Sequence, residues 1–175
     1  MNSNIDRKLL SVMFTDIVDF TEKMSIDEIE SMNLLGEKLL ISKSTIEKFN
    51  GIFVKNIGDG TLSYFQSAVD SIDCANEIIS KLERRVQIRI GIHYGEVILK
   101  DKDIFGDTVN IASRIEQLSP EGGICVSSAV SKQLKNKKNI VLFILDYIPL
   151  KVLGDFLIFI KLIPIKRILL WNHKV

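Results

Sequence analysis

Residues 12–21 read VMFTDIVDFT, and the fold of the chain is organised around this stretch. Its apolar run Val12-Met13-Phe14 predicts a buried strand over residues 9–18, and Asp16 stands near the end of that strand. A buried carboxylate without a partner is costly, and a bound cation is the natural partner for Asp16. The stretch therefore predicts a central strand that carries an acidic residue to a metal site.

A second aspartate lies in the sequence KNIGDG, residues 55–60. Two glycines flank Asp59 between predicted strands at 52–57 and 61–65, which is typical of a tight hairpin turn. We predict that Asp16 and Asp59 belong to one metal site. The alternative is that Asp16 only caps the following segment and that Asp59 is an ordinary hairpin residue.

The remaining elements follow from apolar periodicity and turn residues. Ser25 and Glu28 form a candidate capping box that opens a helix ended by Asn50-Gly51, and Ser67 can cap a second helix. Further along, the pattern predicts strands at 86–98 and 123–127, helices at 108–118 and 128–134, and apolar strands at about 140–150 and 156–163. The fold class is therefore α/β (an α+β sandwich), with a ferredoxin-like βαββαβ core, additional C-terminal α/β elements and an antiparallel-rich sheet.

Composition excludes several classes of function. The 175 residues carry a net charge of +1, so no electrostatic attraction to nucleic acid is expected. Cys74 and Cys125 are not spaced as metal ligands and are interpreted as buried thiols, while His93 is interpreted as a structural strand residue. The first residues, MNSNIDRKLL, lack the long apolar core of a signal peptide, and no apolar run approaches the roughly 18 residues of a membrane span, so we expect a cytoplasmic protein.

Four motifs in order, FTDIVDFT, KNIGDG, IGIHYGEV and DIFGDTVNIASRIE, give the chain a clear resemblance to the catalytic domain of class III nucleotidyl cyclases, of the adenylate cyclase type. The match runs over about 8–128 and continues more weakly to about 163. The resemblance implies one catalytic domain over residues 1–175, with a motif-bearing core and C-terminal strands.

In that family two divalent ions, Mg²⁺ or Mn²⁺, act at each active site. The resemblance assigns them to Asp16, Asp59 and the main-chain carbonyl of Ile17. It also implies that the triphosphate binds backbone N–H groups of Val18, Asp19, Phe20 and Thr21. This chain departs from the pattern at Asp19, where many relatives have glycine.

The resemblance also assigns the residues that select the nucleotide base and those that stabilise the transition state. Lys55 and Asp103, seven residues before Asn110, match the pair that selects adenine, whereas guanylyl cyclases use Glu and Cys there. Asn110 and Arg114 are four apart on one helix face and match the residues that orient the ribose and hold the α-phosphate. Taken alone, these four could be ordinary surface residues. Lys151, in Leu150-Lys151-Val152, resembles a further triphosphate-binding lysine, although the usual glycine is missing.

These features together predict an adenylate cyclase that converts ATP to 3′,5′-cyclic AMP and pyrophosphate. The family's arrangement implies a homodimer with active sites shared across its interface, and regulation by an upstream sensor domain or another regulator. Three alternatives remain: a guanylate cyclase, a non-catalytic nucleotide-binding domain with a regulatory role, and a related two-metal enzyme such as a diguanylate cyclase or a polymerase. The sequence has no Gly-Gly-(Asp/Glu)-Glu-Phe turn, which counts against the third.

Overall fold

A computed structural model describes residues 6–82, 85–134, 144–150 and 155–160. The strands in these ranges are β1 (Asp6–Ile17), β2 (Ile52–Ile57), β3 (Gly60–Phe65), β4 (Ile88–Lys100), β5 (Asp103–Phe105), β6 (Ile124–Ser127), β7 (Ile144–Leu150) and β8 (Asp155–Ile160). The helices are α1 (Phe20–Ile26), α2 (Glu28–Lys48), α3 (Ala68–Leu82), α4 (Asp107–Gln117) and α5 (Ser128–Leu134).

All eight strands join one sheet, in the order β2-β3-β1-β4-β6-β8-β7, and β5 pairs with β4 off this path. Among the first four strands, each pair of neighbours is antiparallel, and with α2 and α3 these strands form the predicted βαββαβ core. β6 extends the sheet parallel to β4, and β8 and β7 follow antiparallel. The predicted α+β class with an antiparallel-rich sheet is confirmed.

Side chains alternate between two cores on the opposite faces of the sheet. Met13 belongs to the core that also contains Ile46 of α2, Ile72 of α3 and Val130 of α5. Its neighbour Val12 belongs to a smaller core beneath α4 and β5. The α4 face is therefore the less covered face of the sheet.

Close packing fixes the position of α4 on that face. Gly91 of β4 has no side chain, and a Cβ there would lie 2.1 Å from the Glu116 nitrogen and 2.7 Å from the Ala112 carbonyl oxygen. Any larger residue would push the helix away from the sheet. Gly91 therefore determines how near the residues of α4 lie to the ends of β1 and β4.

One predicted boundary is wrong. Ser25 does not open the long helix; it lies in α1, where its hydroxyl donates to the Glu22 carbonyl at 2.7 Å. The cap of α2 is Asp27, whose extended backbone lets its carboxylate accept the Glu30 N–H at 2.9 Å. Ile26 at the end of α1 and Ile29 in the first turn of α2 are 79% and 78% exposed.

The other predictions of elements hold within a few residues. Ser67 accepts the Asp70 N–H at 3.3 Å at the start of α3, and Asn50 has the predicted positive φ at the end of α2. The two C-terminal strands occur as β7 and β8. Lys151 lies outside the described residues.

Candidate active site

The two predicted metal aspartates lie together at one end of β1. Asp16 is the penultimate residue of that strand, and Asp59 occupies the turn between β2 and β3. The Asp59 carboxylate accepts the Ile17 backbone N–H at 3.2 Å, which holds it beside the Asp16 side chain. Two carboxylates that are 43 positions apart in sequence thus share one location.

The glycines of the turn make this approach possible. Gly58 has φ +61°, a left-handed conformation that side chains seldom adopt. A Cβ on Gly60 would lie 2.7 Å from the Thr15 carbonyl oxygen and 3.3 Å from an oxygen of the Asp16 carboxylate. The Gly-Asp-Gly sequence is therefore required for the turn to pack against the end of β1.

The surroundings of Asp16 change the ionisation of its carboxylate. Burial, followed by the charge of Asp59, raises the pKa of Asp16 from 3.8 to about 6. Such a raised pKa means that the ionised site is electrostatically unfavourable when nothing positive occupies it. A cation between the two side chains would relieve this repulsion.

A buried lysine, which sequence reasoning missed, lies behind this pair. Lys38 of α2 is 0% exposed, and its Nζ donates to the Asp59 main-chain carbonyl at 2.6 Å. Burial lowers the pKa of Lys38 to about 8, against the opposing effect of nearby carboxylates. Its position offered one signal, because Lys38 falls on the same helical stripe as Leu35 and Ile46.

A third acidic residue, Glu116 of α4, is also buried near the aspartates. Burial, and next the charge of Asp16, raises its pKa to about 7, while Arg89 acts in the opposite direction. Glu116 is two residues from Arg114, so the two side chains leave α4 on different faces. Sequence reasoning noticed the exposed Arg114 and missed the buried Glu116.

A cleft of about 560 Å³, a size typical of small-molecule sites, opens in front of the aspartates. Its lining includes six of the predicted site residues, together with Arg89: Asp16, Ile17, Asp19, Phe20, Thr21 and Asp59. The structure therefore brings the predicted metal residues and most of the predicted triphosphate residues together.

In the segment before α1, one of the backbone N–H groups predicted to bind the triphosphate is already hydrogen-bonded within the chain. The Val18 N–H donates to the Gln87 carbonyl at 3.0 Å and so already has a partner. Asp19 has a left-handed backbone, with φ 56° and ψ 35°, at the position where glycine was expected from the resemblance. The N–H groups of Phe20 and Thr21 belong to the first turn of α1, whose donors have no acceptor within the helix.

The predicted base-reading residues meet at a different place. Lys55 of β2 and Asp103 of β5 form an ion pair, and the second oxygen of Asp103 accepts the Ile104 N–H at 2.8 Å. Although desolvation acts to raise the pKa of Asp103, the hydrogen bonds from Lys55 and Ile104 lower it overall. One donor and one acceptor are therefore held side by side at the sheet edge.

Asn110 and Arg114 are exposed on α4, and neither they nor the Lys55–Asp103 pair line the cleft. Their separation by four residues places them on one face of the helix, as predicted. In the described part of the chain, these four predicted site residues therefore lie outside the cleft that holds the aspartates.

The donor set fits a hard divalent cation. Within the described ranges, no cluster of three or more His, Cys, Asp or Glu side chains is arranged to hold a metal alone. Two carboxylates with main-chain oxygens can bind Mg²⁺ or Mn²⁺ when a substrate phosphate supplies further oxygens. Asp16, Asp59 and Ile17 match that requirement.

His93 and the two cysteines are not among the residues that line this cleft. His93 lies on β4, 7% exposed, with its Nδ1 2.8 Å from the Ser127 hydroxyl oxygen. Cys74 and Cys125 are both buried and free of disulfides, as predicted. No helix in the described part of the chain has the length and apolar character needed to cross a bilayer.

Comparison with known proteins shows which protein family has this sequence and fold. Residues 5–160 match the model of the adenylate and guanylate cyclase catalytic domain. The chain is 31% identical over 134 residues to an adenylate cyclase of Streptomyces coelicolor, covering 74% of this chain and 35% of that protein. It is also 31% identical over 153 residues to a receptor-type guanylate cyclase of Caenorhabditis elegans, covering 73% and 14% respectively.

Among solved structures, the chain resembles the catalytic core of a rhodopsin-guanylyl cyclase with converted specificity, in complex with ATPαS. The TM-score is 0.81 at 27% identity, over 89% of this chain and 97% of that one. The chain spans about a third or less of the length of the two curated relatives, so the match concerns only one part of each.

Proposed function

Because the chain belongs to the adenylate and guanylate cyclase catalytic-domain family, we propose that it is an adenylate cyclase acting as a single catalytic domain. The substrate is ATP, and the products are 3′,5′-cyclic AMP and pyrophosphate. The observation that carries the choice of ATP over GTP is the Lys55–Asp103 pair.

The pair matches the hydrogen-bonding edge of adenine. Adenine presents an acceptor at N1 and a donor at its 6-amino group, and guanine presents the reverse. The Lys55 ammonium is a donor and the Asp103 carboxylate an acceptor, so together they complement adenine. Their mutual ion pair holds the two groups side by side until a base takes its place.

In the reaction, the ribose 3′-oxygen forms a bond to the α-phosphorus and loses its proton. The bond from that phosphorus to the oxygen bridging the α- and β-phosphates breaks, and pyrophosphate leaves. Divalent cations at the site would supply activation of the 3′-hydroxyl and neutralisation of the phosphate charge. Asp16, Asp59 and the Ile17 carbonyl would hold them.

The other residues orient the substrate and stabilise charge. Backbone N–H groups at Asp19, Phe20 and Thr21 receive the triphosphate, and the Arg114 guanidinium contacts the α-phosphate as charge accumulates there. Asn110 orients the ribose. Lys151 is proposed as an additional triphosphate ligand on the basis of the sequence resemblance.

We further propose that the active site forms between two copies of the chain. Asn110 and Arg114 are exposed and do not line the cleft that holds the aspartates, which supports a site that a second copy completes. Exposed apolar residues near the ion pair, Ile57 on β2 and Phe105 on β5, each 47% exposed, suit burial in such a contact. The homodimer would carry two equivalent sites.

The cellular setting is part of the same proposal. Two buried cysteines that form no disulfide suit the reducing cytoplasm, and the net charge of +1 favours no nucleic-acid partner. Because the curated relatives are much longer than the matched portion, we propose that a sensor domain or a separate regulator controls the activity.

The test is a product assay on the purified chain at high concentration with Mn²⁺, offering ATP and GTP separately. Cyclic AMP from ATP with little cyclic GMP from GTP is expected. The double variant Lys55→Glu with Asp103→Cys should shift preference toward GTP. Cyclic GMP from the unaltered chain would overturn the base assignment, and no product from either nucleotide would overturn the activity.

A further inference from the structure

Lys38 is a fully buried charged side chain, and the proposed cyclase reaction gives it no role. It projects from α2, the long helix on the face of the sheet opposite α4. Burying an ammonium group is costly unless charge and hydrogen bonds compensate it. The groups around Lys38 must therefore supply that compensation.

Those groups belong to the metal turn and its neighbours. The Lys38 Nζ lies 2.6 Å from the main-chain oxygen of Asp59, and the acidic groups that act on its charge are Asp16, Asp59 and Glu116. Asp59 is thereby held at two points, because its carboxylate also accepts the Ile17 N–H at 3.2 Å. One contact fixes the side chain and the other fixes the backbone.

From this geometry we infer that Lys38 is a positioning residue for the metal site: it ties α2 to the β2–β3 turn and fixes Asp59 beside Asp16 before a cation binds. The inference rests on the proposed metal-dependent activity, and it adds a residue that touches neither substrate nor the reacting atoms. The lysine cannot serve as a general base there, because its ammonium faces the Asp59 carbonyl from within the core.

The contact also shows why the glycines of the turn are not sufficient to fix Asp59 beside Asp16. Gly58 and Gly60 give the turn its close approach to β1, yet glycines leave the backbone free to choose other conformations. The hydrogen bond from Lys38 selects one of them. Loss of residues that orient metal ligands typically weakens metal binding or activity about 10–100-fold.

The test replaces Lys38 by methionine, which has a similar length and no charge, and measures Mn²⁺ binding by electron paramagnetic resonance. The titration is made with a saturating ATP analogue whose bond between the α- and β-phosphates resists cleavage. Binding by Lys38→Met should be about 10–100-fold weaker than by the unaltered chain. Lys43→Met, which removes an exposed lysine from the same helix, should bind Mn²⁺ normally.

A purely structural role and a purely repulsive role for Lys38 predict different results. A lysine that only supports the fold would lower the melting temperature on replacement while the folded fraction kept its Mn²⁺ affinity. A lysine that only repels cations would make Lys38→Met bind Mn²⁺ more tightly. Either result, or unchanged affinity, overturns the inference.

Two controls separate this inference from the proposed function. If the unaltered chain binds no Mn²⁺ above the level of Asp59→Ala, the proposed metal site itself fails. If the unaltered chain binds Mn²⁺ and Lys38→Met binds it equally, the role of Lys38 alone fails. Should Lys38→Met not fold, Lys38→Gln provides the same comparison, since it also removes the ammonium and retains polarity.

Discussion

Replacing Asp16 by asparagine should stabilise the metal-free protein while abolishing its activity. In the folded chain, burial and then the charge of Asp59 raise the pKa of Asp16 from 3.8 to about 6. At about 1.4 kcal/mol per pH unit, the difference corresponds to at most about 3 kcal/mol of lost stability at neutral pH. Because the side chain is partly open to solvent, screening reduces the expected effect to about 1–2 kcal/mol.

The direction follows from proton binding. Between pH 3.8 and about 6 the folded state holds a proton on Asp16 that the unfolded state has lost, so stability falls as pH rises through this window. The Asp16→Asn chain lacks this contribution to the decrease in stability with rising pH. It retains the contribution of Glu116, whose pKa is also raised. The two proteins should therefore be similar in stability near pH 4 and differ most above pH 7.

The assay is thermal and urea unfolding in the presence of EDTA, from pH 4 to pH 8. For a chain of this length, 1–2 kcal/mol corresponds to a melting temperature higher by about 2–8 °C for the variant at pH 7.5. Adding Mn²⁺ should then stabilise the unaltered chain and leave the variant unchanged. A variant no more stable than the unaltered chain at pH 7.5 without metal would refute the electrostatic reasoning.

Three further substitutions test other parts of the structure. Gly60→Ala should lower the free energy of unfolding by about 1–3 kcal/mol and remove most activity, because its Cβ would lie 2.7 Å from the Thr15 carbonyl oxygen. Gly36→Ala, in an open part of α2, should instead raise the free energy of unfolding by about 0.5–1 kcal/mol. Equal urea midpoints for the two variants would contradict this prediction. Asp27→Ala should lower the free energy of unfolding, measured with urea, by about 1 kcal/mol because α2 loses its N-terminal cap. A comparable decrease for Ser25→Ala would favour the capping box at Ser25 instead. Asp103→Ala should raise KM for ATP with little change in melting temperature, because an exposed ion pair contributes only about 0–1 kcal/mol to stability. If both KM and the preference for ATP over GTP were unaltered, Asp103 would have no role in base recognition.

The features that local patterns determine were predictable from the sequence. Val12-Met13-Phe14 is a continuous apolar run, and it forms the central strand because both faces of the sheet there are covered. The Gly-Asp-Gly turn follows from the conformations that only glycine adopts readily. The order of these elements, together with the motifs, was sufficient to predict the fold and the meeting of Asp16 with Asp59.

Features that depend on contacts between distant segments were not predictable in this way. Lys38 contacts a carbonyl 21 positions away, and only the packing of α2 against the sheet determines that this lysine is buried. The cap of α2 is a different case, because Ser25 precedes Glu28 and Asp27 precedes Glu30 at the same spacing. The local sequence offers two equivalent caps, and the extent of α1 decides between them.

The most direct test of a shared adenylate cyclase site mixes two inactive variants, Asp59→Ala and Arg114→Ala, and measures cyclic AMP formed from ATP. Each variant alone should be inactive. In a randomly mixed equimolar sample, half of the dimers are hybrids, and each hybrid has one intact site of two, so about a quarter of the unaltered activity should return. No recovery at any mixing ratio, with dimers present, would contradict a site assembled from the aspartates of one copy and the α4 residues of the other.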